Sequence, residues 1–385
     1  MELPSKSRIA SVDILRGLVM IVMALDHVRE FWSVTPFRPE DVTQASTTLF
    51  FTRWITHFCA PTFAFLSGIS IFFVAERKQP KRELSLFLLK RGLWLVFLQV
   101  FVINFLTQFS FNMIILEVIW ALGWSMILMA ALIWLPKWAA ASLAIIMIAG
   151  HNLIPSIDTV KPENFILVAL HNSPRVLILP GLPVILIAYS IVPWVAVMAA
   201  GYLAGQLFRL PEDRQIFYWR RAGIVLLVLF MILRYINIYG DPLPWASQPR
   251  GAWFTFLSFL NVTKYPPSLN FLLLTLGVAC LLLSVLNNVS GRIVSFVKTF
   301  GDVPFFFFLI HIPLIVLGAH IWTYLRFGKI VSLAFQSPDQ WPAGYSPDLF
   351  RTYAVWIVYV VILYFPCRWY SQYKNTHRNW WLSYL

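Results

Sequence analysis

The sequence predicts an all-α polytopic membrane protein of about ten transmembrane helices (about eleven if an outer segment re-enters), with both termini cytoplasmic. Three observations predict it. Of 385 residues, 59% are hydrophobic and only 12% are charged, about half the charged share of a soluble globular protein. Apolar runs of about 20 residues recur along the whole chain. Lysine and arginine collect in alternate connections, as they do on the inner side of a membrane.

The runs place spans at about 9–32, 49–75, 84–108, 113–136, 138–155, 184–208, 222–239, 268–287, 303–324 and 352–371. The first carries Asp13 and Arg16 and lacks a small-residue cleavage site, so it is expected to stay as a helix and not be removed as a signal peptide. Pro61 predicts a kink or break in the second, near His57-Phe58-Cys59-Ala60-Pro61. Pro136 and Lys137 separate the fourth span from the fifth. With the N-terminus inside, the inner side receives Lys6, Arg8, Arg77, Lys78, Lys81, Arg82, Lys137, Arg209, Arg214, Arg220, Arg221, Arg292, Lys298, Arg368, Lys374 and Arg378. Glu40, Asp41, Asp158, Glu163, Asp241, Asp339 and Asp348 dilute the fewer bases outside. The net charge of +13 is therefore topological, and no nucleic-acid partner is implied. Residues 1–385 read as one integral membrane domain in the lipid bilayer. The longer outer segments, about 33–48, 156–183, 240–267 and 325–351, read as re-entrant or cap-like pieces over it. Cys59, Cys280 and Cys367 are scattered and odd in number, which suggests neither a disulfide framework nor a metal site.

The first span carries the chemistry. Eleven positions separate Arg16 from His27, about three helical turns, so both side chains leave one face about 16 Å apart. Asp13 lies one turn before Arg16 on the same stripe. Charge inside an apolar helix is costly, and a functional site is the default reading. His27 suits a general base because imidazole titrates near working pH; the bland alternative is a buried histidine bonded to a neighbouring helix. Asp26 points about 100° away from it and would orient it only if the helix end unwound. Arg16 suits a phosphate-bearing ligand, and an i,i+3 ion pair with Asp13 is compatible with that role.

Other candidates surround this stripe. His311, deep in P-F-F-F-F-L-I-H-I-P, is either a second chemical group or a structural hydrogen-bonding one. Arg53 and His57, one turn apart at the outer start of the second span, are placed to join the His27 end. Glu117 and Arg234 are candidate partners of one another. In N-V-T-K-Y-P-P-S at 261–268, two prolines hold Lys264 and Tyr265 in a non-helical hook, either as a site or as an interfacial anchor. Arg91, with Arg77, Lys78 and Lys90, would draw in a polyanion. His151, His171, His320 and His377 have no patterned surroundings and read as structural. No Walker, dinucleotide, nucleophile-elbow or zinc spacing occurs.

These residues resemble known families. The R-x10-H pattern from Arg16 to His27, with F-A-F-L-S-G at 63–68, resembles the signature of the acyltransferase family 3 membrane enzymes. The wider string is closer to bacterial proteins grouped with heparan-alpha-glucosaminide N-acetyltransferase, in which Arg8, Ser11, Asp13, Arg16 and Gly17 match an R-x-x-S-x-D-x-x-R-G opening. M-A-L-D-H-V-R, H-F-C-A-P-T-F-A-F-L-S-G, V-P-W-V-A-V-M-A-A-G-Y, T-K-Y-P-P-S-L, V-P-F-F-F-F-L-I-H-I-P-L and W-W-L-S-Y-L look like further blocks. The resemblance implies an enzyme of a bacterial inner membrane. It would take an acetyl group from acetyl-CoA, a donor co-substrate and not a tightly bound cofactor, and pass it to an amino or hydroxyl group of a sugar or envelope glycan. In the human lysosomal member the position aligned with His27 resembles an asparagine, and the catalytic histidine lies further along in the luminal segment. The corresponding 33–48 here has no histidine, so that role does not carry over. His27 then rests on the acyltransferase 3 pattern.

Two other classes compete. A transporter or lipid flippase would use the intramembrane charges as an ion path, but recognisable inverted repeats are lacking and the charge clusters on one helix. A non-catalytic partner of an envelope-synthesis complex is the third. Binding of CoA thioesters separates the first from both others. Self-association as a homodimer is left open by the sequence.

Overall fold

The computed structural model describes residues 10–77, 80–154, 164–171, 173–178, 181–377, 379 and 382. Lys6, Arg8, Lys78, Asp158, Glu163, Arg378 and most of the closing W-W-L-S-Y-L lie outside the described residues. In chain order the elements are α1 (Ala10–Trp32), α2 (Thr47–Thr56), α3 (Cys59–Arg77), α4 (Lys81–Phe97), α5 (Asn104–Gln108), β1 (Met113–Leu116), α6 (Val118–Leu132), α7 (Lys137–Gly150), α8 (Phe165–Leu170), β2 (Arg175–Leu177), β3 (Val184–Ile187), α9 (Val192–Ala204), α10 (Glu212–Ile236), α11 (Ala252–Leu260), α12 (Leu269–Val285), α13 (Arg292–Asp302), α14 (Pro304–Phe327) and α15 (Leu349–Thr376).

The chain is mostly helical. Among the described residues, six stretches are long and apolar enough to cross a membrane: Thr47–Arg77, Lys81–Gln108, Glu212–Ile236, Leu269–Asn288, Pro304–Phe327 and Leu349–Thr376. α1 is 23 residues long, carries five charged residues, Asp13, Arg16, Asp26, Arg29 and Glu30, and is not among those six. The predicted break in the second span falls at His57-Phe58, between α2 and α3. The third span contains a six-residue π-helical stretch, Leu98–Ile103, that links α4 to α5.

Two predicted spans begin differently from expectation. Residues 113–116 and 184–187 are strands, and the helices after them, α6 and α9, are 15 and 13 residues long, short of the about 20 that span a bilayer. β1 and β3 pair in parallel, Met113 opposite Val184, and β2 pairs antiparallel to β3, Arg175 opposite Ile187. A three- or four-residue apolar strand next to an apolar helix has no periodicity of its own, so it reads as the start of the span. Side chains from the π-helical linker and from the first residue of α5 hold β1: Asn104 Oδ1 accepts from Ile115 N at 2.7 Å, and Gln99 Nε2 donates to Ile115 O at 2.9 Å.

By packing, the chain falls into two compact units, each described by itself. One comprises Met1–Cys59, Gln248–Leu257 and Val285–Leu385; the other comprises Ala60–Ser247 and Ser258–Ser284.

In the first unit α1 packs on α13, α14 and α15. Small residues allow the closest approach. A methyl group added at Gly17 would lie 2.0 Å from the Val297 carbonyl oxygen, and one at Gly301 would lie 1.8 Å from that of Asp13. Indole N–H groups cross between the helices, from Trp32 to Ile315 O at 3.0 Å and from Trp356 to Ile21 O at 2.8 Å. The segments 33–46 and 328–348 are fastened across the end of this bundle, as cap-like pieces. The Tyr345 hydroxyl donates to Val34 O at 2.9 Å, and Arg250 donates to Val42 O and Ala45 O at 2.8 Å each.

In the second unit the same device recurs. Gly68 of α3 meets the Met198 carbonyl of α9 and Gly201 meets that of Phe65, each 2.0 Å from an added methyl; Gly92 and Gly123 join α4 to α6. The F-L-S-G stretch that resembles a family motif therefore supplies a helix-packing glycine, Gly68. Arg234 differs from expectation. Its guanidinium donates to the carbonyls of Phe259, Leu243, Ser258 and Asn261 at 2.6–3.0 Å, and its carboxylate neighbour, at 3.9 Å, is Asp241 and not Glu117. A buried guanidinium satisfied by backbone carbonyls 9 to 27 positions away is invisible to sequence spacing.

Candidate active site

The site is built on α1 and its neighbours in the first unit. One helix carries both ends of the predicted stripe without interruption. At the first end, Arg16 Nη1 donates to Asp13 Oδ1 at 3.0 Å and to Gly301 O of α13 at 3.3 Å. Asp13 is buried, so the pair is partly desolvated and stronger than a surface i,i+3 pair.

Three turns on, the charges divide between two carboxylates. Asp26 does not turn toward His27. Its Oδ1 accepts from Arg29 Nε and Nη2 at 3.3 and 3.0 Å, and its Oδ2 accepts from Arg53 Nη1 of α2 at 2.5 Å. Glu40, from the cap-like segment, lies 3.8 Å from Arg53 Nε. Arg29 and Arg53 are both buried. Two buried guanidinium groups opposed by two carboxylates form a neutral network that ties α1, α2 and the cap segment together. Removing one partner of such a network leaves an uncompensated buried charge, at a cost of about 3–5 kcal/mol. The helix remains regular through Trp32, so the unwinding that would bring Asp26 to His27 is absent.

The carboxylate at His27 is Glu30, one turn on, with Oε2 3.3 Å from His27 Nδ1. Sequence reasoning missed it, although the i,i+3 spacing was there to be read. His27 is partly exposed, at 19%, and Glu30 is half-exposed. Behind His27 stands His311 of α14, with ring centres 5.2 Å apart and ring planes inclined by 58°. His311 is fully buried. Its Nδ1 lies 2.8 Å from Phe308 O and 3.0 Å from Phe307 O. Carbonyl oxygens only accept, so Nδ1 carries a proton, and in the neutral ring Nε2 then presents a lone pair. Among the described residues no hydrogen-bond partner meets that Nε2.

The remaining predicted residues fall in two places. Arg53 joins the His27 end through Asp26, and His57 is buried in the break after α2. Arg91, Lys264 and Tyr265 belong to the second unit. There the hook at 261–268 is held by Asp241, which accepts from Thr263 N at 2.9 Å and from the Ser268 hydroxyl at 2.7 Å. Lys264 Nζ lies over the Tyr265 and Tyr189 rings, 5.0 and 6.0 Å from their centres.

Residues 8–239 match the family described as heparan-alpha-glucosaminide N-acetyltransferase, catalytic. The chain belongs to that family. Membership implies a membrane acetyltransferase, in accord with the apolar helices. The match covers Arg16, Asp26, His27, Glu30 and Arg53 and ends before Lys264 and His311. No curated protein matches the chain in sequence.

Proposed function

We propose that the protein transfers an acetyl group from cytoplasmic acetyl-CoA to an amino or hydroxyl group of a sugar or other envelope acceptor, in a bacterial inner membrane, with His27 as general base. The observation that carries this reading is the His27–Glu30 pair, three turns from Arg16 on one helix. The acceptor's nitrogen or oxygen attacks the thioester carbonyl, and His27 takes the proton it loses. Glu30 holds the imidazole by Nδ1 and balances the imidazolium that forms. The carbon–sulfur bond then breaks, the acetyl group stays on the acceptor, and the thiolate recovers a proton from His27. Asp26 acts as a positioning residue that anchors α2 through Arg53. Arg16 supports the donor's phosphates or pantetheine amides, and the separation of about 16 Å along the helix is of the order of the pantetheine arm. Both termini are cytoplasmic, so cysteines introduced at Lys6 and Ser383 should label only from that side; external labelling at either would reverse the entry side of the donor.

The test is direct. Purified protein in proteoliposomes is given acetyl-CoA and an amino sugar, and released thiol and acetylated sugar are measured. Stoichiometric appearance of both supports acetyl transfer; no binding of CoA thioesters would sink it. Arg16→Ala should weaken CoA binding at least about tenfold, and Arg16→Lys should recover it only in part, since an ammonium lacks the bidentate fork. Unchanged affinity in Arg16→Ala would confine Arg16 to its bonds with Asp13 and Gly301.

A further inference from the structure

α13 has two working faces. Val297 and Gly301, one turn apart, meet α1. The opposite face carries Arg292, Ser295 and Thr299, which line a groove of about 910 Å³ closed on the other side by Arg368, Ser371 and Gln372 of α15. The aromatic rings of Phe296 and Tyr364 stack in its wall, 4.7 Å apart. This groove faces away from Arg16 and owes nothing to the acetyl-transfer reading.

Among the described residues its charge is uncompensated: both arginines are exposed, no described aspartate or glutamate lines the groove, and neither guanidinium has an ion-pair partner there. Asp302, the acid on α13, pairs with Lys298 at 3.2 Å. Two forked cations with the aliphatic hydroxyl groups of Ser295, Thr299 and Ser371 and the Gln372 amide make a phosphate-binding set.

The border of the groove identifies the source of the phosphate. From Thr352 to Cys367, α15 carries no charged residue, a length of about 24 Å, so Arg368 stands where an apolar span meets the head-group layer. Around it, Ile293, Ile362, Phe365 and Trp369 are all exposed. A free anion would use the arginines and hydroxyl groups but not this apolar border, whereas a lipid uses both. We propose that the α13–α15 groove binds the phosphate head group of an anionic membrane phospholipid, with its acyl chains along the exposed apolar face of α15.

The experiment uses the full-length protein purified in neutral detergent and offered phosphatidylglycerol or phosphatidylcholine, with bound lipid counted by native mass spectrometry. The parent should retain phosphatidylglycerol in preference to phosphatidylcholine. Arg292→Gln with Arg368→Gln should weaken that retention about 30-fold, the effect of two basic residues at an anionic head group, and Arg292→Lys with Arg368→Lys should keep most of it. Thermal unfolding of the same samples verifies that both variants fold, which exposed positions permit. Equal retention of phosphatidylglycerol by the glutamine variant would overturn the assignment. So would displacement of the lipid by millimolar inorganic phosphate or coenzyme A, which would make the groove a site for soluble anions.

Discussion

His27→Ala protein should fold, bind acetyl-CoA and transfer acetyl groups about 10²–10⁴-fold more slowly than the parent, the usual cost of losing a general base. The loss should fall on kcat, because no donor-binding group is removed. Glu30→Gln keeps the shape but removes the charge 3.3 Å from Nδ1. It should lower kcat by less than His27→Ala and leave the KM for acetyl-CoA unchanged. Glu30→Asp should recover part of the rate, which a purely structural role at a half-exposed position would not produce. Asp26→Asn should behave differently. It breaks a network holding two buried arginines, so its first effect is a lower thermal midpoint. Parent-rate transfer by folded His27→Ala would remove His27 from the chemistry and leave His311, whose Nε2 meets no hydrogen-bond partner among the described residues, as the next base to test.

Gly301→Val should abolish recovery of folded, monodisperse protein. A Cβ at this position would lie 1.8 Å from the Asp13 carbonyl oxygen and 2.9 Å from Gly17 N. Both obstacles are helix backbone and cannot rotate away, so α13 must withdraw from α1. Withdrawal also separates the Gly301 carbonyl from Arg16, now 3.3 Å away. Overpacking a core commonly costs about 1–3 kcal/mol, and backbone against backbone should exceed that range. Gly301→Ala should fold poorly, with a thermal midpoint well below the parent's and weaker CoA binding. Gly150→Ala is the control: it lies at the end of α7 with nothing within 4 Å of the added methyl, and it should leave the midpoint unchanged. A Gly301→Val protein with the parent's midpoint would show that the helices are not held at this distance in the working protein.

Much of α1 was legible because its information is local. The i,i+3 pair of Asp13 and Arg16, the three-turn separation from Arg16 to His27, and the direction of Asp26 away from His27 all follow from helix periodicity. The break before Pro61 was legible for the same reason, since a proline deprives one turn of its hydrogen bond. Glu30 obeys the same i,i+3 rule as Asp13 and Arg16, and it was passed over because Asp26 stands next to His27 in sequence.

The sequence by itself determined the class of the protein and which charged side chains share one helix face. Hydropathy sets which stretches can enter a membrane, and a period of about 3.6 residues sets which side chains share a stripe. The tertiary structure alone decided what that stripe meets. Gly301, the partner of Arg16, is 285 positions away, and His311 reaches His27 only because α14 packs on α1. It also decided that 113–116 and 184–187 pair as strands, and that Arg292 and Arg368 share one groove. Strand pairing, carbonyl acceptors and converging cations arise between segments far apart in the chain. Their identity depends on which faces pack together, and no local period encodes that.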